Sequence, residues 1–108
     1  MIYEVFLTDD ALRDLEEIDD YICSSDSLQK ADYVLQKIEN VFQTLVDSPK
    51  RGSYPKELLK HGIRDYREVY FKPYRIIYRV QAKRVYIYLI TDGRRDMQSL
   101  LSRRLLRA

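Results

Sequence analysis

With 108 residues, 45% hydrophobic and 33% charged, and only three Gly and three Pro, the chain has the material for one domain and one core, and is no disordered or low-complexity polymer. Its net charge of +2 hides a division: up to Asp47 there are twelve Asp/Glu against three Lys/Arg, and from Ser48 onward sixteen Lys/Arg against five Asp/Glu. Halves at −9 and +11 exclude an evenly charged chain, and point either to neutralisation across the fold or to an acidic or polyanionic partner for the basic half.

Residues 2–7, IYEVFL, are β-branched and aromatic and read as a short strand. The opening carries no basic n-region, so no signal peptide is expected there. Thr8 stands where a helix N-cap belongs, with Asp9 and Asp10 favoured by the dipole of the first turn. Ala11, Leu15, Ile18 and Ile22 then recur at helical spacing, with Leu12 alongside. CSSDS interrupts the pattern. A second helix is expected from about Ser27 to Val46, with Ala31, Val34, Leu35, Ile38, Val41, Phe42 and Leu45 as its stripe. Together they predict a helical hairpin. The segment DSPKRGSYP is the clearest break and coincides with the charge switch, and ELLKHG reads as a helical turn or loop. Three strand signals follow, IRDYREVYF, YRIIYRV and RVYIYLIT, joined at Lys72-Pro73 and Gln81-Ala82-Lys83. So close a spacing favours an antiparallel meander. After Asp92-Gly93, the residues Met97, Leu100, Leu101, Leu105 and Leu106 return to helical spacing. The apolar runs are strand-length, so no membrane span is expected. The order β-α-α-β-β-β-α predicts an α+β fold over residues 1–108, with the hairpin packed on one face of a small, mainly antiparallel sheet. The other face is left open, or covered by the last helix or a partner.

Alternation along YRIIYRV puts Arg75, Ile77 and Arg79 on one side, and Tyr74, Ile76, Tyr78 and Val80 on the other. A guanidinium within a sheet must meet a carboxylate, water or a polyanion. For either arginine the internal candidates are a cross-strand pair, for instance with Glu68, and a tyrosine ring. Arg75 lies toward the end of the sheet where Arg94 and Arg95 follow the Asp92-Gly93 turn, and is expected to face outward with them. Guanidiniums beside a helix N-terminus suit a phosphate or carboxylate, with Asp96 as the internal alternative. Arg103, Arg104 and Arg107 fall at the C-terminus of the last helix, where cations offset its dipole. The ten tyrosines read as half-buried strand residues with their hydroxyls at the rim, in preference to a base-stacking array. Cys23 and His61 are the single cysteine and histidine, so neither a disulfide framework nor a Cys/His metal site is expected. A lone thiol fits a reducing cytoplasm. No nucleophile elbow, P-loop or dinucleotide fingerprint is present, and no cofactor is implied.

The stretches IRDYREVYFKPYRIIYRV, VYIYLI and DGRRDMQSLLSRRL, with ALRDLEEIDDYI, VLQKIENVFQTL and SPKRGSYPKEL before them, resemble the ParE/RelE superfamily of bacterial toxins over nearly the whole chain. These are the toxins of type II toxin–antitoxin modules, the plasmid stabilisation proteins. The resemblance implies a cytoplasmic toxin with a cognate antitoxin, and one of two activities. ParE-like members inhibit DNA gyrase without a known catalytic step. RelE-like members cut mRNA in the ribosomal A site, by attack of a ribose 2′-OH on the adjacent phosphate. That chemistry needs charge stabilisation at phosphorus and groups that move protons. By resemblance Arg75 and Arg95 match two arginines of the nucleases, and Arg67 falls near one of their basic strand residues. A second basic residue falls near Val69 and the last-helix tyrosine at Leu101, and neither can serve. Asp92 stands where many relatives have His, and opposes phosphate binding.

The PYRIIYRV strand and the leucine-rich last helix look ParE-like. The expected function is therefore a ParE-like gyrase inhibitor, without an enzyme activity. The alternatives are a RelE-like endonuclease using Arg75 and Arg95, with Tyr66, Tyr70 or Tyr74 as acid or base, and a degenerate member that only binds antitoxin. The target- or antitoxin-binding set so implied is Arg67, Arg75, Arg79, Arg94, Arg95, Arg103 and Arg104. A homodimer or a toxin–antitoxin heterotetramer is compatible with it. A disordered antitoxin tail would fold on the toxin, laying apolar and acidic residues over the hairpin and the basic sheet.

Overall fold

The computed structural model describes residues 2–106. In chain order it contains β1 (Glu4–Leu7), α1 (Asp9–Ser25), α2 (Leu28–Asp47), the single turn α3 (Lys56–Leu59), β2 (Arg67–Phe71), β3 (Tyr74–Gln81), β4 (Arg84–Asp92) and α4 (Met97–Leu105). ELLKHG is thus helical at its start. The strands lie in the order β1-β4-β3-β2, with β2, β3 and β4 antiparallel and β1 parallel to β4. The helices begin where side-chain oxygens relieve unpaired backbone donors. Thr8 accepts from the Ala11 N–H at 3.1 Å, Ser27 from Lys30 at 3.0 Å and Asp96 from Ser99 at 3.2 Å, each worth about 1 kcal/mol.

The hairpin lays Ala11, Ile22, Ala31, Val34, Ile38, Phe42 and Leu45 on Val69, Ile76, Tyr78, Val85, Ile87 and Ile90. On the opposite face Ile77 and Leu89 meet Leu58, Tyr66, Met97, Leu100 and Leu101, so α3 and α4 close a second, smaller core. Leu12 and Leu106 stay exposed, outside the stripes that their spacing predicts. A bulge connects the two cores: Ile77 pairs with Leu89 and Tyr78 with Ile87, which leaves Tyr88 as the extra residue of β4. Both Tyr88 and Leu89 thereby contribute to the α4 side. No helix among the described residues is long and apolar enough to cross a membrane.

β4 outruns its neighbour. The ladder with β1 ends at Leu7–Ile87, and the Thr8 N–H donates to the Ile87 carbonyl at 3.0 Å, whereas β4 continues to Asp92. An unpaired edge so deep in the fold would strand backbone polar groups. Two side chains take the place of the missing strand. Asp14 of α1 accepts from the Ile90 N–H at 3.0 Å, and Arg104 of α4 donates to the Tyr88 carbonyl at 2.9 Å. They also pair with each other bidentately at 3.0 and 2.9 Å. This staple ties the first and last helices to one strand edge.

Two backbone positions give stability tests. Ala82, in the β3–β4 turn, has φ +55°, a left-handed conformation that costs an L-residue about 1 kcal/mol. Ala82→Gly is expected to gain about 0.5–1 kcal/mol, seen as a melting temperature raised by a few degrees. Gly52 has no such room: a Cβ would lie 2.6 Å from both the Glu68 carbonyl and the Tyr78 hydroxyl. Gly52→Ala should lose about 2 kcal/mol or more in urea unfolding.

Candidate functional site

The sheet arginines are placed differently from one another. Arg75 is 7% exposed and enclosed by carboxylates. Its Nε donates to Glu68 at 2.7 Å, while its two terminal nitrogens grip Glu57 bidentately at 2.8 Å. Glu57 comes from α3 and Glu68 from β2, so the clamp binds a helix and two strands together. Gly93 closes the remaining side, since a Cβ there would come within 2.8 Å of the Arg75 stem. The guanidinium fork is occupied from within, which corrects the expectation that Arg75 faces a phosphate or an acidic partner. The cause is geometric. Glu68 is opposite Ile77, within diagonal reach of both Arg75 and Arg79. The second carboxylate, Glu57, decides between them. The hydrogen bond from Arg75 lowers the Glu57 pKa, against the opposing effect of burial. On the arginine, the Glu57 hydrogen bond is the largest cause of a raised pKa.

Two further arginines have structural employment. Arg67 donates to the Gly52 carbonyl at 2.8 Å and to the Tyr54 hydroxyl at 3.2 Å, fastening the link from α2 to α3. Arg104 belongs to the β4 staple, and its side chain is only 17% exposed. Burial disfavours its charge, but the hydrogen bond and charge of Asp14 outweigh that and hold its pKa up. Arg79 is partly exposed, with Asp65 at 3.8 Å and the Tyr66 ring at 5.8 Å. Tyrosine is thus one of the partners expected for it, but the carboxylate is Asp65, because Glu68 is already engaged by Arg75. Arg103 is exposed in the last turn of α4. Arg107 lies outside the described residues.

Arg94 and Arg95 converge on an open feature. A cleft of about 590 Å³ runs between α1 and the end of β4, lined by Asp14, Glu17, Ile18, Tyr21, Tyr74, Ile90, Thr91, Asp92, Arg94 and Arg95. It exists because β1 stops short and, among the described residues, nothing replaces it beyond the staple. The carboxylates there are partly spent: Asp14 on Arg104, and Asp92 on Arg94, at 2.5 to 2.9 Å. The Arg94 hydrogen bond accordingly lowers the Asp92 pKa. Asp96, the other partner expected for this arginine pair, instead caps α4 and bonds Ser99. The Arg94 side chain remains 81% exposed. Arg95 donates to Thr91 at 3.3 Å and has no carboxylate partner among the described residues. The floor contains Ile18 and Ile90, and Tyr21 and Tyr74 add aromatic surface.

Tyr21 and Glu17 are site residues that sequence reasoning missed. Their helix is acidic all along its outer face, and periodicity cannot tell which part of that face borders a cleft. Tyr70 and Tyr74, candidate proton carriers, both have raised pKa values. Burial is the main cause in each case, reinforced by Glu68 for Tyr70 and by Asp92 for Tyr74. They are weaker acids than a free phenol and stay protonated at neutral pH. Val69 and Leu101 are both buried in the cores. Among the described residues no three His, Cys, Asp or Glu side chains are grouped to hold a metal ion.

The family model for the ParE toxin of the type II toxin–antitoxin system parDE matches residues 5–97. Toxin ParE3 of Caulobacter vibrioides is 29% identical over 91 residues, which covers 84% of this chain and 87% of that protein. Among solved structures, a chain of the chromosomal ParDE system from P. aeruginosa is similar with a TM-score of 0.71 at 22% identity, over 84% of this chain and 96% of that one. An arginine-to-alanine double mutant of E. coli toxin RelE in the free state is similar with a TM-score of 0.66 at 13% identity, over 98% and 97%.

The clamp and the cleft arginines should respond differently to truncation. Arg75→Ala leaves two buried carboxylates without their cation, and is expected to lose about 3–5 kcal/mol in chemical unfolding. Arg94→Ala and Arg95→Ala, at exposed positions, should each stay within about 0.5 kcal/mol. The clamp also carries a pH signature. The folded Glu57 pKa lies below its ordinary value of 4.5. Its stabilisation is therefore complete above that value and lost as pH falls through the lower folded one. Stability of the native protein measured against pH should fall in that acid window, and Glu57→Gln should flatten that part of the profile.

Proposed function

The chain belongs to the ParE toxin family of type II toxin–antitoxin systems, and we propose that it is a non-catalytic inhibitor of DNA gyrase, acting in the cytoplasm and held inactive by a cognate antitoxin. The observation that carries the non-catalytic reading is the Arg75 clamp. Cleavage of RNA through a 2′-OH needs a cation free to meet charge at phosphorus and groups poised to transfer protons. Arg75 has its donors committed to Glu57 and Glu68. The raised pKa values of Tyr70 and Tyr74 keep both phenols protonated at neutral pH, so neither is available there as a base. Of the two arginines matched to the nucleases only Arg95 is exposed, and it can bind an anion but cannot by itself carry out the transfer.

The cleft beside Arg94 and Arg95 suits the antitoxin. Its apolar floor, tyrosine walls and arginine rim match a disordered segment that carries apolar and acidic residues and orders on binding. Arg103, exposed on α4, is a further point of contact in this reading, and Arg79 belongs to the same accessible set. Arg67, Arg75 and Arg104 serve the fold.

Purified protein is expected to block supercoiling by gyrase and to leave ribosome-bound message intact. Co-expression with the antitoxin should relieve growth arrest. The double variant Arg94→Ala/Arg95→Ala should weaken antitoxin binding about tenfold or more, given charge-assisted contacts of about 1.5–3 kcal/mol each, without lowering the melting temperature. Codon-position cuts in translated mRNA that vanish in Arg95→Ala would overturn the reading in favour of a nuclease.

A further inference from the structure

The sheet face opposite the hairpin is only half covered. α3 and α4 close over Ile77, Leu89 and Tyr88, but among the described residues no helix packs on the part built from β1, the start of β4 and the end of β3. Val5, Leu7, Val85, Ile87, Tyr78 and Val80 turn to the hairpin core. Their alternates Glu4, Phe6, Arg84, Tyr86, Arg79 and Gln81 therefore point the other way. The register sets these six in two rows across three strands, Phe6–Tyr86–Arg79 and Glu4–Arg84–Gln81.

The first row is ordered in a particular way. The Phe6 and Tyr86 rings stack with centroids 5.7 Å apart and planes at 26°, and Phe6 stays 39% exposed. The Arg84 guanidinium lies 5.8 Å from the Phe6 centroid and its NH1 is 3.5 Å from the Tyr86 hydroxyl. At the other end Arg79 lies over Tyr66. A phenylalanine on a sheet face with no layer above it leaves apolar area in water, and sheet faces normally cover such area. Here it is aromatic and flanked by guanidiniums, one of them over Phe6.

We propose that this half-face binds single-stranded nucleic acid, with unpaired bases stacking on Phe6 and Tyr86 and the phosphates meeting Arg84 and Arg79. Aromatic side chains on an open sheet, with arginines beside them, are what unstacked bases need: a π-face for each base and a cation for each backbone charge. The row spans two strand spacings, about 10 Å, which accommodates about two bases. A duplex would hide its base faces, so the ligand is a single strand. Arg84 is exposed and forms no salt bridge among the described residues, although Glu4 stands opposite it, and Asp65 is 3.8 Å from Arg79. Glu4 is the one acid among the six, so cations prevail on the surface. The site shares no residue with the cleft, and of its residues only Arg79 also belongs to the accessible set assigned to the antitoxin. Its failure and theirs are separable, because Phe6 and Tyr86 do not line the cleft.

The test is fluorescence anisotropy with labelled oligo(dT) of about a dozen nucleotides, within the range a small stacking site occupies, and with oligo(U) of the same length. Phe6→Thr and Tyr86→Thr remove the rings while keeping strand propensity, and their melting temperatures and antitoxin binding are measured alongside. The expected result is saturable binding that weakens with salt, and a loss of about tenfold or more in the double threonine variant. Arg84→Ala should reduce the salt slope by about one. Preference between the two oligonucleotides then assigns the sugar. Absence of binding overturns the proposal. So does binding that the threonine variants leave unchanged, which would mean that cations alone hold the strand. A self-associated species that sedimentation detects in the native protein, and that the threonine variants disperse, would show instead that a second copy occupies this face.

Discussion

β4 has nine residues and β1 has four, and much of the molecule follows from that mismatch. Where β1 ends, an internal strand becomes an edge, and its backbone groups need partners that no strand supplies. Asp14 and Arg104 supply them, and in doing so fix the approach of α1 and α4 to the sheet. Beyond the staple the edge opens into the arginine-rimmed cleft. On the outer face α4 spans the stretch from Met97 to Leu105 and covers only the half of the sheet near that same end. One short strand thus accounts for the staple and the cleft.

The two arginine roles diverge for an electrostatic reason. A guanidinium that loses its water needs several acceptors at once, and the pair Glu57 and Glu68 provides them to Arg75. A buried clamp of this kind organises the elements it joins, but makes a poor grip for an external anion, because any newcomer must first displace two carboxylates. Arg94 and Arg95 sit on a turn, in water: Arg94 pairs with Asp92 but stays exposed, and Arg95 has no carboxylate partner among the described residues. Burial therefore separates the arginines that the core needs from those that it leaves at the surface.

The charge division of the chain is also resolved unevenly. Asp14 and Arg104 neutralise each other across it. The Arg75 clamp draws both of its acids from the basic half itself. Most of the acidic face of α1 and α2 remains in water, so the polarity seen in composition survives folding as a property of the surface.

Residues in the sequence were sufficient to determine the helical hairpin, the meander and the closing helix, because periodicity and capping act within a few neighbouring residues. Thr8, Ser27 and the apolar stripes are local signals of that sort, and the pairing of Arg79 with a tyrosine was within reach of strand alternation. Arg75 was a different matter: its side of the strand and Glu68 as a cross-strand partner were legible, but Glu57, which completes the clamp, is brought in only by packing of α3 on the sheet. The same holds for β1, whose parallel place beside β4 joins the two ends of the chain. Long-range neighbours of that kind leave no periodic trace, since they depend on which surfaces meet and not on what lies next along the backbone.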